Sequence, residues 1–489
     1  MNITKMAYNF REETQKNTHN TQSIKPDYLN KLKRKFYEDK TNIIIQNSLC
    51  ANQLEQVSEV REYMQSRDSN FSHTLDPELV VSNQGLSGRC WMFAVLNVMR
   101  HELVRKYRLP HDFELSESYL CFYEKLEKCN YFLTRFLTIT KEQMNDRSVI
   151  QLLHSGSEDG GQWITCANLI KKYGIIPKSC YKESANSFRT SDMNTLLNYK
   201  LRECAMEMIN ETEKSKRFIL KENMLKNIYN LLIKLLGTPP GPNDKFKWSY
   251  VLQLELIDDL EREQKRRRLD GKYENFINKH SDEISPLEFY EKYIVNKLDS
   301  YMKFSNDPRN VYNKFYKSFD YDIVVEGERN GYFNIEIDKI AKLCINSLTD
   351  NTPVEFDCDV GHYMNQTEQL LDPQCYNYEI LFNTTFFELN KKNMMICRES
   401  MPNHAMVLVG VDLDKHGNPL KWKVENSWGR DLFAQLEGGN DYYTMSHEWF
   451  KKYVYNAVVQ SKYVDEEITK QYVESCKHKE QLPEFDIMG

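Results

Sequence analysis

The stretch Asn83–Ala94, NQGLSGRCWMFA, is a glycine-broken polar loop that runs directly into an apolar segment, with Cys90 at the junction. Apolar side chains recur at helical spacing after Cys90, which predicts a helix that begins near this residue. A thiol at a helix N-terminus lies among unpartnered main-chain N–H groups, and this position favours the nucleophilic thiolate. Gln84, six residues upstream, carries an amide N–H that can stabilise an oxyanion. A buried structural cysteine would fit the same pattern, so this loop alone leaves both interpretations open.

A cysteine nucleophile needs an imidazole as its proton acceptor and a third group that orients the imidazole. Among the 11 histidines, His404 directly precedes an apolar strand-like run at 405–411. A second alternating segment, 421–425, ends at Asn426, and turn-forming residues lie between the two segments. The midpoint of 404 and 426 falls in that turn, so an antiparallel hairpin without a bulge places His404 opposite Asn426. The alternative is a polar pair at the end of a sheet.

The composition is that of a globular protein with several hydrophobic cores, because the chain has 489 residues, of which 40% are hydrophobic and 28% charged. Its net charge of −6 provides no overall attraction to nucleic acid. Two basic runs, Lys31–Lys35 and Lys265–Arg268, lie in helix-like segments with acidic neighbours. A solvated helix face is the preferred interpretation of both runs, although a phosphate-binding patch stays open.

The cysteine usage indicates reduced thiols, because the 12 cysteines are scattered without a C-x-x-C pair or a zinc-like Cys/His spacing. Residues 1–25 are polar and contain no apolar segment of the kind found in secretory signals. No apolar run approaches the ~18 residues that span a membrane. We therefore expect a soluble intracellular protein with reduced thiols and without a membrane-spanning segment.

The chain is predicted to have five parts. A charged, helix-like composition distinguishes the third part from its neighbours, and strand-like patterns follow it at 354–360, 379–382 and 405–411. The parts are a flexible tail (1–25), a helical half with the cysteine (26–184), an inserted helical subdomain (185–345), a β-rich half with the histidine and asparagine (346–475), and a C-terminal arm (476–489).

Several short motifs resemble those of papain-like cysteine peptidases. They are Gln84–Trp91, Leu115–Glu117, Gly160–Gly161, Asn403–Ala405 and Glu425–Gly429. The distance from Cys90 to His404 is 404 − 90 = 314 residues, about twice the ~130–150 of the short enzymes, and the insertion accounts for the excess. The loop departs from the usual signature, since it has Ser87 at the position of a cysteine and Arg89 before the nucleophile.

A longer ordered pattern, from about residue 40 to the end, resembles the bleomycin hydrolase (aminopeptidase C) family. It includes Asp159–Trp163, Tyr173–Lys178, Pro286–Tyr290, Asp307–Arg309, Cys358–Gly361 and Trp422–Gly429. The resemblance implies an α+β, papain-like fold with a large helical insertion. It also implies a cytosolic homohexamer without a cofactor, which removes N-terminal residues from peptides with broad side-chain tolerance.

The resemblance assigns roles to four residues. Cys90 is the nucleophile, His404 the general acid and base, and Asn426 the group that orients His404. The Gln84 side chain and the Cys90 main-chain N–H form the oxyanion hole. The expected rate falls at acid pH, as the thiolate–imidazolium pair becomes protonated.

The resemblance also predicts the residues that contact the substrate. Gly160 and Gly161 would bind the substrate backbone, and Trp428 would shield the His404–Asn426 bond, although an ordinary core aromatic is the alternative for Trp428. The carboxylate of Gly489 would meet the substrate amine at the end of the arm.

The arm departs from the family pattern, because relatives continue about four residues further. The difference in reach is roughly 12–14 Å. A shorter arm could allow release of longer N-terminal fragments or internal cleavage. A different path of the arm, or an incomplete C-terminus, would leave strict aminopeptidase activity. An inactive binding or nucleic-acid-binding homologue is the remaining alternative.

Overall fold

The computed structural model describes residues 24–251, 279–318, 322–386, 389–429, 442–483 and 486–488. The chain forms two compact units, one of residues 1–65 and 376–386, the other of residues 66–375 and 387–489. The described helices are α1 (Pro26–Glu38), α2 (Lys40–Ala51), α3 (Leu54–Ser58), α4 (Arg61–Ser66), α5 (Cys90–Tyr107), α6 (Glu117–Phe136), α7 (Arg147–Ser155), α8 (Trp163–Tyr173), α9 (Ala185–Phe188), α10 (Ser191–Asn210), α11 (Lys214–Leu236), α12 (Pro286–Tyr293), α13 (Ile337–Thr349), α14 (Tyr378–Phe382), α15 (Lys391–Ile396), α16 (His447–Tyr453) and α17 (Glu466–Ser475).

The described strands form one large sheet and one antiparallel two-stranded sheet. The strands are β1 (His73–Thr74), β2 (Phe246–Val251), β3 (Lys279–Ile284), β4 (Tyr301–Ser305), β5 (Lys314–Lys317), β6 (Gly331–Asn334), β7 (Val354–Cys358), β8 (Met364–Asn365), β9 (Leu370–Leu371), β10 (His404–Leu413), β11 (Pro419–Glu425), β12 (Tyr443–Ser446), β13 (Val454–Gln460) and β14 (Glu480–Gln481). The large sheet has the order β14-β5-β6-β4-β13-β7-β10-β11-β12-β9-β8, with β1 paired to β10, and β2 pairs with β3.

The smaller unit contains α1 to α3 and α14. The segment predicted as a strand at 379–382 lies in α14, so that prediction is wrong. The Asn377 side chain accepts a hydrogen bond from the Ile380 N–H, and Asn383 adopts a left-handed conformation after the last turn. A cap at each end therefore stabilises this short helix. The largely apolar pattern of residues 379–382 is by itself also compatible with a strand.

Helix α5 begins at Cys90, as predicted, and is the central helix of the larger unit. Every residue from Trp91 to Val104 is buried. A helix that is buried on all sides lies inside a core, so its N-terminus is held firmly in place. Helix α5 packs against β10, the strand that begins at His404.

The third predicted part, 185–345, is not helical throughout. Its described residues form α9 to α12 and the first part of α13, but the paired strands β2 and β3 belong to the same segment, as do β4, β5 and β6, which join the large sheet. These strands are short and contain several polar residues, which explains why a charged composition suggested helix. The boundaries of the five parts stay predictions.

Candidate active site

The loop before α5 is hydrogen-bonded to the chain that follows β11. The Gln84 N–H donates to the Ser427 carbonyl oxygen at 2.8 Å, and the Gly429 N–H donates to the Ser82 carbonyl oxygen at 3.0 Å. The Ser427 hydroxyl donates to the side-chain oxygen of Gln84 at 2.6 Å, across 343 positions of sequence. These bonds hold the cysteine loop against the end of the β10–β11 hairpin.

The predicted hairpin is present, but His404 and Asn426 do not face each other in its ladder. Val407 pairs with Glu425, and two irregularities shift the register further along β10. His404 instead pairs with Cys358 of β7, while Asn426 lies just beyond the end of β11. The symmetric register is therefore wrong, because bulges displace the centre of the hairpin. The two side chains still meet, with 2.9 Å between His404 Nε2 and Asn426 Oδ1.

The tautomer of His404 follows from the hydrogen bonds of Asn426. Asn426 Oδ1 also accepts the main-chain N–H of Ser427 at 2.8 Å. A main-chain N–H can only donate, so the oxygen of the amide must be the atom that faces both partners. His404 Nε2 therefore carries the proton, and Nδ1 of the neutral ring is left as the base.

Trp428 lies beside this pair. Its ring centroid is 5.0 Å from that of His404, with 35° between the ring planes. His404 and Asn426 are both buried. The indole therefore lies against the imidazole, and its shielding of the His404–Asn426 hydrogen bond stays a prediction of the family resemblance.

The Cys90 thiol is partly exposed and lies against the first residues of β10. The Ala405 N–H is within hydrogen-bonding reach of the Cys90 sulfur. Because Ala405 follows His404 directly, the structure brings the cysteine to the strand end that carries the histidine. The thiol, the imidazole and the Asn426 amide thus belong to one site.

In the free protein, burial outweighs the preference for thiolate that the helix N-terminus was expected to give Cys90. Loss of hydration raises the pKa of the Cys90 thiol to about 11, although the N–H groups of Ala405 and Trp91 lower it. Burial likewise lowers the pKa of His404 to about 4, against the opposing effect of its bond to Asn426. The two groups are therefore a neutral thiol and a neutral imidazole near pH 7.

Gln84 is buried in the cysteine loop. Its amide nitrogen donates to the Ser87 carbonyl oxygen at 2.6 Å, and its amide oxygen accepts from Ser427. An amide nitrogen has two N–H groups, so these bonds orient the side chain and leave one donor for a ligand. The Cys90 N–H is the second donor available, since the first N–H groups of a helix have no partner within the helix.

Gly160 and Gly161 lie close to the nucleophile. The Gly160 N–H donates to the Gly88 carbonyl oxygen at 3.2 Å, so this N–H is already engaged. Gly161 packs on Trp91, and a Cβ at this position would lie 2.7 Å from the indole ring. Only glycine permits this approach beside Cys90. Their predicted contacts with substrate backbone stay a prediction.

Asp159 is a functional candidate that the sequence analysis quoted only as part of a motif. Its carboxylate accepts the Gly88 N–H at 2.7 Å, the Lys125 ammonium at 2.7 Å and the Asn194 amide at 2.9 Å. These partners hold the pKa of Asp159 well below its usual range despite its burial. Asp159 therefore fixes the glycine turn relative to the cysteine loop; its position directly before two glycines was the available signal.

The C-terminal arm is described up to residue 488, apart from 484 and 485, and Gly489 lies outside the described residues. Leu482 and Met488 are buried in a cluster with three tyrosines. The Asp486 carboxylate accepts a hydrogen bond from the Arg309 guanidinium at 2.7 Å. The arm is thus anchored by apolar burial, by the pairing of β14 with β5, and by the ion pairs of Asp486 with Arg309 and of Glu480 with Lys314. The role of the Gly489 carboxylate stays a prediction.

Two further findings concern metal ions and membranes. Within the residues that the structure describes, no group of three or more His, Cys, Asp or Glu side chains could hold a metal ion. No helix in the same residues is long and apolar enough to cross a membrane. The basic run Lys265–Arg268 lies outside the described residues.

A thiol at a helix N-terminus, set against a histidine–amide pair on an antiparallel sheet, defines a papain-like cysteine peptidase. The chain matches the model of the Peptidase C1-like family over residues 23–489, and it belongs to that family. It is 34% identical to aminopeptidase C of Lactococcus lactis, over 96% of this chain and 99% of the relative. It is 33% identical to bleomycin hydrolase of Rattus norvegicus, over 89% of this chain and 92% of the relative.

A solved structure agrees with this assignment. The crystal structure of pepw from Lactobacillus rhamnosis has a TM-score of 0.85 and 33% identity, and the match covers 96% of this chain and 99% of that chain. The expected papain-like α+β fold is therefore confirmed.

The acid side of the pH profile follows from the pKa of His404. Since burial lowers that pKa to about 4, the imidazole is neutral, and so available as a base, at any pH above this value. We expect kcat/KM to fall as pH drops through about 4, rather than near the ~6.5 of a free imidazole. Rates with a fluorogenic peptide amide from pH 3 to 8, alongside circular dichroism to monitor folding, measure this. A midpoint near 6.5 in folded protein contradicts the prediction.

Proposed function

We propose that this chain is a cysteine aminopeptidase that removes N-terminal residues from peptides with broad side-chain tolerance. The hydrogen bond between His404 Nε2 and Asn426 Oδ1 carries the proposal, because it leaves Nδ1 as a base on the strand that also contacts the Cys90 sulfur. The names of the relatives, aminopeptidase C and bleomycin hydrolase, agree with this reaction.

The acylation step requires the thiol proton to move before the carbon–sulfur bond forms. Nδ1 of His404 takes the proton from Cys90, and the sulfur attacks the carbonyl carbon of the scissile bond. The resulting imidazolium, stabilised by its bond to Asn426, then donates the proton to the leaving amine. The C–N bond breaks, and the N-terminal residue remains attached to Cys90 as a thioester.

The negative oxygen of the tetrahedral intermediate needs fixed donors. The remaining N–H of the Gln84 amide and the N–H of Cys90 are assigned to it, because both are held by the loop before α5. In deacylation, a water proton passes to His404 while the water oxygen attacks the thioester carbon. The C–S bond then breaks, the N-terminal residue leaves with a free carboxyl group, and His404 returns the proton to the Cys90 sulfur. No metal or organic cofactor takes part in this scheme.

A product ladder tests the cleavage mode. An unblocked decapeptide and its N-acetylated copy are incubated with the intact protein, and products are followed by mass spectrometry. We expect single residues to leave one after another from the free amino end, and the acetylated copy to be cleaved much more slowly. Release of fragments of several residues as first products favours the oligopeptide-releasing alternative over strict aminopeptidase activity.

The assembly and location also belong to the proposal. The family resemblance supports a homohexamer in the cytoplasm, with peptides rather than nucleic acid as partners. Sedimentation of the intact protein is expected to give a mass near six times the 58.2 kDa chain, and a monomer contradicts it. Fractionation of cells that express the chain tests the location.

A further inference from the structure

A charged cluster lies on the face of the sheet next to Cys90. Glu355 and Asp357 are two positions apart on β7 and therefore point to the same face. Asp357 pairs with Ala405, the residue whose N–H reaches the Cys90 sulfur. Lys303 of β4 reaches the same face through β13, which lies between β4 and β7. None of these residues has a role in the mechanism above.

The hydrogen bonds of this cluster leave Glu355 with only another carboxyl group, that of Asp357, as its partner. Lys303 Nζ donates to the Gln162 side-chain oxygen at 2.6 Å, and the Asn456 amide donates to Asp357 Oδ2 at 2.8 Å. Glu355 is fully buried, and among the described residues no N–H or hydroxyl group donates to its carboxylate oxygens; only the carboxyl group of Asp357 is within hydrogen-bonding reach. A buried carboxylate without a donor is strongly unfavourable, so this side chain needs a proton or a cation.

The charge balance shows that the cluster binds a proton or a cation rather than an anion. Two carboxyl groups face one ammonium, and burial raises the pKa of both Glu355 and Asp357, with their mutual repulsion adding to the effect for Glu355. One shared proton neutralises the excess when the cluster is empty. A second cation can take the place of that proton, whereas an anion would meet an excess of acidic groups.

The cluster can be reached from the nucleophile. Lys303, Asp357 and Gln162 are partly exposed, as is Cys90, while Glu355 lies beneath them. Gln162 follows the glycine pair that packs beside Cys90. A peptide whose carbonyl carbon meets the Cys90 sulfur therefore has its neighbouring groups next to Asp357.

We propose that Glu355 and Asp357, with Lys303 as a fixed counter-charge, form a subsite that binds a cationic group of the peptide substrate close to the cleaved bond. This inference rests on the proposed peptidase function and adds a substrate preference to it. The cation is an ammonium or guanidinium, supplied either by the amino terminus or by a basic side chain. It donates hydrogen bonds to Asp357 and Glu355, and the shared proton leaves to solvent.

The test is a set of dipeptidyl aminomethylcoumarin substrates in which each position holds lysine or norleucine, with a free or acetylated amino terminus. Norleucine keeps the carbon chain of lysine and lacks only its ammonium group. In the wild-type protein, at least one cation should raise kcat/KM by roughly tenfold or more over the neutral substrate, as expected for one hydrogen bond to a charged group. Comparison of the acetylated and lysine arms identifies which cation it is.

Isosteric variants assign the preference to the cluster. Glu355→Gln and Asp357→Asn should each reduce the ratio of cationic to neutral kcat/KM by roughly tenfold. Asp322→Asn is the matched control, because this buried aspartate pairs with Arg329 outside the cluster, and it should keep the wild-type ratio. A preference that survives in both cluster variants, or rates within about twofold across all substrates, overturns the inference.

A binding measurement separates this inference from the proposed function. Fluorescence anisotropy of the same dipeptides, with a dye in place of the coumarin, is measured on the Cys90→Ala variant, so no turnover is required. Tighter binding of the cationic peptide, lost on adding Asp357→Asn, supports the subsite even if hydrolysis fails. Equal binding of the lysine and norleucine peptides, whether their amino termini are free or acetylated, refutes the subsite. The proposed peptidase function is unaffected by this outcome, because neutral substrates can still be hydrolysed.

Discussion

Replacing Cys90 with alanine is expected to abolish peptide hydrolysis, with a loss of roughly 10⁴-fold or more in kcat, while the protein stays folded. The loss is large because no other described group can form the thioester at this position. The fold should tolerate the change, since Cys90 is only partly buried and alanine has the highest helix propensity at the start of α5.

The measurement combines kinetics with labelling. Hydrolysis of a fluorogenic peptide amide is compared for wild type, Cys90→Ala and the control Cys397→Ala, which removes an exposed cysteine. An epoxide probe should label Cys90 faster than the exposed thiols Cys50 and Cys397, because His404 can take the thiol proton during attack. If Cys90 reacts no faster than these thiols and its removal leaves hydrolysis unchanged, the chain is a non-catalytic homologue.

The local features of the site could be predicted from the sequence. The glycine-rich loop followed by apolar residues at helical spacing correctly predicts that α5 begins at Cys90. The apolar run after His404 correctly predicts β10. These predictions succeed because each depends on residues close together in the chain, where periodicity and turn formers are direct signals.

The register and the ionisation states could not be predicted in this way. Symmetry about the turn cannot reveal the two irregularities within the β10–β11 ladder. The prediction that His404 and Asn426 are opposite each other in this ladder was therefore wrong, although their side chains are in contact. The helix dipole suggested a thiolate at Cys90, but burial has the larger effect on its pKa. Burial depends on the packing of distant segments, which no local pattern contains.

The cluster beside Cys90 was missed for the same reason. Residues 354–358 alternate apolar and polar side chains, a pattern typical of a strand with one face in solvent. In the structure β7 lies between β10 and β13, and packing on the face of the sheet buries Glu355 completely. Lys303 comes from a segment that composition assigned to the helical insertion, so its approach to Glu355 is a property of the tertiary fold.

The largest effect after that of Cys90 is expected at His404. His404→Ala should lower kcat/KM by about 10²–10⁴-fold or more, because the thiol then loses the base that takes its proton and the leaving amine loses its acid. Asn426→Ala should lower it by roughly 10–100-fold, the effect of one hydrogen bond to a group that becomes charged. This difference follows from geometry, since the side-chain oxygen of Asn426 accepts from the imidazole and from the Ser427 N–H and so acts on the reaction through His404.

Asn426→Asp is the matched control for this division of roles. Aspartate can still accept the hydrogen bonds of His404 and Ser427, so it avoids the buried donors without partners that alanine leaves. Its negative charge raises the pKa of His404 above about 4, and the neutral base is then lost at a higher pH. The acid midpoint of kcat/KM should therefore move upward in Asn426→Asp, which a purely structural role of Asn426 does not predict.

Steady-state rates from pH 3 to 8 for the three variants decide the matter, with thermal melts to show that each is folded. Equal losses in folded His404→Ala and Asn426→Ala contradict separate roles, and an unchanged acid midpoint in Asn426→Asp shows that Asn426 does not act through the imidazole.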